Sequence, residues 1–178
     1  MKIQTKDITM AGLLVALTVI LGTTGIGFLP VPTPAGAATL MHIPVILAGL
    51  VSTPLVASFV GLIFGLFCFK FMGDLRVVIP ARLLVGVVSW LVYRLCGRKR
   101  WAIPVAAVAG SLTNTVGTLW LAVIFGYIPA SGSGGAITLG VVQGIPEALL
   151  AAVLLIPITI GVEKLFKISR TSKDGKSK

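Results

Sequence analysis

The strongest constraint on this chain is a succession of long, almost uncharged apolar runs, beginning with ITMAGLLVALTVILGTTGIGFL at residues 8–29. As a helix, about 20 apolar residues cross the hydrocarbon of a bilayer, and a helix satisfies its own backbone hydrogen bonds there. Further runs at about 38–51, 54–71, 77–96, 101–126 and 136–165 predict six spanning segments. The second is short, and the sixth is long enough to tilt or bend. A β-barrel would show short alternating segments, whereas these are continuous. With 56% hydrophobic and 11% charged residues and a mean hydropathy of +1.05, the composition lies far from that of a soluble domain. The expected fold class is an all-α integral membrane protein, a bundle of six helices. Lys2 and Lys6 precede the first run as they would in a secretion signal. The run is long for one, lacks a small-x-small cleavage site and is followed by five others, so it is read as a retained span.

This divides the chain into a short N-terminus (1–7), a membrane domain (8–165) and a basic tail (166–178) expected to be disordered. The connections PVPTPAG (30–36) and YIPASGSGG (127–135) read as loops from their proline, glycine and serine. The net charge of +10 is one-sided: Lys2 and Lys6, then Arg94, Arg98, Lys99 and Arg100, then Lys164 and the five basic residues after it. By the positive-inside rule both termini and the fourth connection are cytoplasmic, which requires an even number of crossings. Anionic lipid accounts for this charge. Nucleic acid is excluded as a partner, because no aromatic residues interleave with the basic ones. Lys70, Arg76 and Arg82 break the pattern, lying with Asp74 toward the outer side. Arg82 is the most unusual, since it interrupts VVIPARLLVGVV, and a charge inside a span faces a cavity, a partner or the bundle interior.

Two further spans carry polar chemistry. GSLTNTVGTLW (110–120) offers Ser111, Thr113, Asn114, Thr115, Thr118 and Trp120, with Asn114 and Thr118 four apart on one face. Such residues either bind neighbouring helices or present an amide and hydroxyls to a solute. VVQGIPEALL sets Gln143 and Glu147 four apart around Pro146, which favours a kink. Glu147 is open to pairing with Arg82, to protonation, to a cation or to a solute. Small residues spaced by four, Gly12 with Ala16, Gly61 with Gly65 and Gly110 with Asn114, suggest close helix packing or a docking face. His42 lies in ATLMHIPVILAG, two residues before Pro44. It either stabilises entry into the second helix or contacts a solute, pointing toward Asn114 and Gln143 or back to PVPTPAG.

No metal site is expected, because His42 has no acidic or cysteine neighbour at ligand spacing and Cys68 and Cys96 form no CxxC. No phosphate-binding loop, HExxH or GxSxG is present, so the chain is not expected to be an enzyme, although a small intramembrane enzyme with His42 as base is the alternative. A freestanding transporter is disfavoured by the absence of an internal repeat. A small binding bundle that relies on a larger partner for energy fits the length.

The ordered series ITMAGLLVALTVILG, the proline-rich loop, TLMHIPVILAGL, GLIFGLF, IPARLLVGVVSWLVYRL, GSLTNTVGTLWLAVIFG and IPEALLAAVLLIP resembles the substrate-capturing (S) components of energy-coupling factor (ECF) vitamin transporters. The resemblance implies a six-helix bundle in the prokaryotic cell membrane that binds a vitamin at its outer side. Its partners would be a transmembrane coupling subunit and two cytoplasmic ATPase subunits. ATP and Mg would bind those ATPases, and this chain would hold no cofactor. Gly12 and Ala16 look like the face that meets the coupling subunit, where alanine at both positions is more usual. MHIP, PARLLVG and GSLTNT look most like the branch that includes pantothenate carriers, with folate, riboflavin and pyridoxine as alternatives. On that resemblance Arg76 or Arg82 meets the carboxylate, Asn114, Gln143 and Glu147 address the polar body, and His42, Thr118 and Trp120 join them as candidates. Loops 30–37 and 70–77 would close over the vitamin. Close relatives often have Pro-Arg where this sequence has Pro80-Ala81-Arg82, which turns the arginine by about 100° from its usual place.

Overall fold

The computed structural model describes residues 5–30, 37–72 and 74–174. The PVPTPAG loop after Pro30 and residues 175–178 lie outside them. Helix α1 spans Thr5–Thr24 and stops at Gly25, whose φ of 74° is a conformation natural to glycine and common just past a helix end. The first segment, expected to continue to Leu29, therefore ends five residues early. In its place strand β1 (Phe28–Pro30) pairs antiparallel with β2 (Ala37–Thr39), with Phe28 opposite Thr39 and Pro30 opposite Ala37.

The second segment is corrected in the same way. Helix α2 covers only Ile43–Val51, with Pro44 in its first turn, where a missing N–H removes no helical bond. Nine residues rise about 13.5 Å, less than half of a hydrocarbon core of about 30 Å. Every residue from Ile43 to Leu50 is buried, as a helix apolar on all sides requires. Four longer helices follow: α3 (Pro54–Met72), α4 (Leu75–Leu95), α5 (Ala102–Ile124) and α6 (Ala136–Asp174). Among the described residues the fold is thus all-α, with six helices and one short hairpin. Helices α1, α4, α5 and α6 carry stretches long and apolar enough to cross a membrane, and the apolar part of α3, Pro54–Phe69, is shorter. The chain is a multi-pass membrane protein. Helix α6 also runs through the basic stretch expected to be disordered, reaching Asp174. Neither glycine nor proline occurs between Gly161 and Gly175 to end it sooner.

Helices α3, α4, α5 and α6 pack in chain order, α1 lies on α3, and α2 is enclosed by α3, α4, α5 and α6. Phe64, Met41, Ile46, Ile103 and Leu155 fill the centre. Close approach depends on glycine at two of the expected packing positions. A Cβ on Gly61 would collide with the Arg82 backbone carbonyl, and one on Gly110 with the Ser89 hydroxyl. Gly65 is looser, with the Ile79 Cα at 3.4 Å from such a Cβ. Gly12 faces open space, and Ala16 is exposed on the same side of α1.

Candidate functional site

A cavity of about 370 Å³ opens between α4, α5 and α6, beneath the end of the β1–β2 hairpin, within the size range of small-molecule sites. Most of its wall is apolar: Met41, Val77, Leu119, Ala122, Ile128 and Leu139. Polar atoms enter from three helices. From α4 comes Arg82, only 6% exposed, with Nη1 donating to Thr118 Oγ1 and the guanidinium 5.1 Å from the centre of the Phe64 ring. Its Nε is buried without a hydrogen-bond partner among the described residues.

Helix α5 contributes Asn114, Thr115 and Thr118, which the 3.6-residue period gathers onto one side. Thr118 Oγ1 in turn donates to the Asn114 backbone carbonyl at 2.6 Å, and the side-chain Oδ1 of Asn114 is buried without a hydrogen-bond partner among the described residues. Helix α6 presents Leu139, Gln143 and Glu147 at intervals of four. Glu147, 2% exposed, accepts from the Thr39 backbone N–H at 2.7 Å, from Gln143 Nε2 at 3.3 Å and from the Thr115 hydroxyl at 3.4 Å. Donors thus reach both of its oxygens. Arg82 and Glu147 form no ion pair, so the pairing considered from sequence does not occur; Arg76 with Asp74 is the salt bridge present among the described residues.

Of the candidate residues, Arg82, Asn114, Thr118, Gln143 and Glu147 line this one cavity. Arg82 reaches it despite its displacement from Pro80. Trp120 does not: it is 66% exposed, because two residues past Thr118 is a turn of about 200° on a helix. Arg76 also lies outside, its side chain 74% exposed, 3.4 Å from Asp74 and 5.2 Å from the centre of the Phe125 ring. His42, 1% exposed, caps α2 beneath the cavity wall, and neither ring nitrogen has a hydrogen-bond partner among the described residues. Among the described residues no cluster of potential metal ligands occurs.

Several lining residues were not candidates. Thr39 acts through its backbone, which sequence does not reveal, and Cys68 is one thiol in an apolar run. Thr115 was visible as a polar residue next to Asn114. Tyr127 comes from the loop after α5 and is the exposed one among the described residues on the wall. Its hydroxyl donates to Asp74 Oδ2 at 2.7 Å, while Asp74 Oδ1 caps α4 by accepting from the Arg76 N–H at 2.7 Å. The Tyr127 hydroxyl, with the Arg76 amide and charge, holds the Asp74 carboxyl below the usual carboxylate range, and the same bond raises Tyr127.

The cavity wall thus brings together a guanidinium, an amide and a carboxyl group. The family model described as ECF transporter, substrate-specific component, matches residues 6–159. The chain belongs to this family. A search of curated proteins finds no match. As an ECF substrate-specific component it is a membrane-embedded binding subunit and not an enzyme.

Proposed function

We propose that this component captures pantothenate at the outer side of the membrane for ATP-driven uptake. The observation that carries this reading is Arg82, buried on the wall of a largely apolar cavity and without an ion pair among the described residues. A buried charge without a counter-ion is costly, and a substrate carboxylate supplies one. The other polar atoms suit the rest of the molecule. Asn114 Oδ1 needs a donor, which an amide N–H or hydroxyl provides, and Gln143 and Glu147 can exchange hydrogen bonds with hydroxyls. Binding then involves no covalent step: burial of the vitamin removes water from its polar contacts and strengthens them.

The same reading includes both termini on the cytoplasmic side, in agreement with the basic residues around the α4–α5 turn and along the end of α6. The exposed face of α1 around Gly12 and Ala16 would meet the transmembrane coupling subunit, and two ATPase subunits would drive the cycle. Purified protein in lipid nanodiscs is expected to bind radiolabelled pantothenate saturably and to release it to excess unlabelled vitamin. No saturable binding, alongside clear binding of folate, riboflavin or pyridoxine, would overturn the substrate.

A further inference from the structure

We infer that Tyr127 and Asp74 form the closing contact of the cavity mouth, so that the bond between them controls passage of the solute. Among the described residues lining the cavity Tyr127 is the exposed one, and the others are buried or half-buried. Its ring therefore forms part of the cavity rim. The ring is fixed at that rim: its hydroxyl donates to Asp74 Oδ2 at 2.7 Å, tying the loop after α5 to the start of α4. Asp74 is itself held by two contacts on its other oxygen, the Arg76 N–H at 2.7 Å and the Arg76 Nε at 3.4 Å. Arg76 is braced against Phe125, two residues before Tyr127. The four side chains close a circuit between the loop after α5 and the start of α4, at the rim to which Tyr127 belongs.

These residues need not touch the vitamin. They position the wall, and their loss changes rates of entry and exit. Arg76, expected from sequence to meet the vitamin directly, belongs to this circuit. Two carboxylate oxygens serve two elements at once, so the α4 cap and the mouth contact depend on the same residue. The shifts of both ionisable groups point the same way, toward charged Asp74 beside neutral Tyr127.

The inference rests on reading the cavity as the solute site, but its primary test requires no vitamin. Cys68 lines the cavity and Cys96 caps the other end of α4, so Cys96→Ser leaves Cys68 as the reporter thiol. The reagent is a negatively charged, membrane-impermeant methanethiosulfonate, applied to the full chain in nanodiscs. Tyr127→Phe keeps the ring and removes the hydroxyl; Asp74→Ser keeps a cap for α4 and removes the acceptor. Each is expected to speed Cys68 modification by about threefold to tenfold, the effect of one lost hydrogen bond. Equal rates in the parent and both variants, whether fast, slow or nil, would overturn the inference. A second measurement adds pantothenate to the parent. Protection of Cys68 supports the vitamin reading, and no protection counts against that reading while leaving the rate comparison to decide the mouth contact.

Discussion

Replacing Arg82 with glutamine separates recognition of an anion from support of the fold, because the two roles predict opposite signs. The guanidinium is 6% exposed, donates to Thr118, faces the Phe64 ring and forms no ion pair among the described residues. If a vitamin carboxylate completes it, the substitution removes a charge-assisted contact worth about 1.5–3 kcal/mol, or about 10- to 150-fold in affinity. The protein without vitamin, by contrast, is relieved of a buried charge that forms no ion pair among the described residues. Arg82→Gln is therefore expected to weaken pantothenate binding while unfolding no earlier than the parent in a thermal scan in detergent. A double-mutant cycle sharpens this, using pantothenol, in which an alcohol replaces the carboxylate. The parent should prefer pantothenate by about the same factor, and Arg82→Gln should lose that preference. Isothermal titration of both ligands against both proteins gives the four numbers. A preference that survives the substitution, or a variant that unfolds early with normal affinity, would refute the assignment.

Asn114→Ala should lower vitamin affinity by about tenfold without loss of thermal stability, since Oδ1 has no partner to lose; unchanged binding would remove it from the contact set. Gly61→Leu should destabilise the bundle by about 1–3 kcal/mol through collision with the Arg82 backbone, seen as a lower detergent unfolding midpoint. Gly12→Leu has open space around it and should leave binding and stability intact while impairing uptake by the complete transporter, measured in reconstituted vesicles. The mouth contact has a pH signature. Asp74 is depressed, so its contribution is present above the ordinary carboxylate pKa and lost as pH falls through the folded value. Tyr127 is raised, so its contribution is present below the ordinary tyrosine pKa and lost as pH rises through its folded value. The stability difference between parent and Tyr127→Phe should be flat between about pH 5 and pH 9 and shrink outside it.

Hydrophobic run length exposed most of the helices, because a span must be long and uncharged whatever its neighbours. It misjudged the outer end of the first run because Phe28-Leu29-Pro30 is as apolar as the helix before it, and three residues are too few to show a period. The glycines at 25 and 27 were the available stop signals. The four-residue spacings of Asn114 with Thr118 and of Gln143 with Glu147 placed those side chains on common faces, and the same geometry excludes Trp120 from the Thr118 face. Arg82 shows the limit of such reasoning: a long side chain reaches a cavity from a backbone position that the helical angle alone disfavours. The Thr39 amide on Glu147 was beyond reach, since no side-chain pattern marks which backbone donor a hairpin delivers 108 residues away in sequence.

The shortness and complete burial of α2 have a consequence for biosynthesis. A nine-residue segment is below the length that insertion machinery recognises as a span, and this one has no lipid-facing side to hold it among acyl chains. It enters the membrane as a folding event, drawn in by the surfaces of α3 and α4 once those are in place. Substitutions at its contact with α4, such as at Gly49 against Gly86, would then appear as failed assembly and degradation in the cell before any purified protein could show altered affinity.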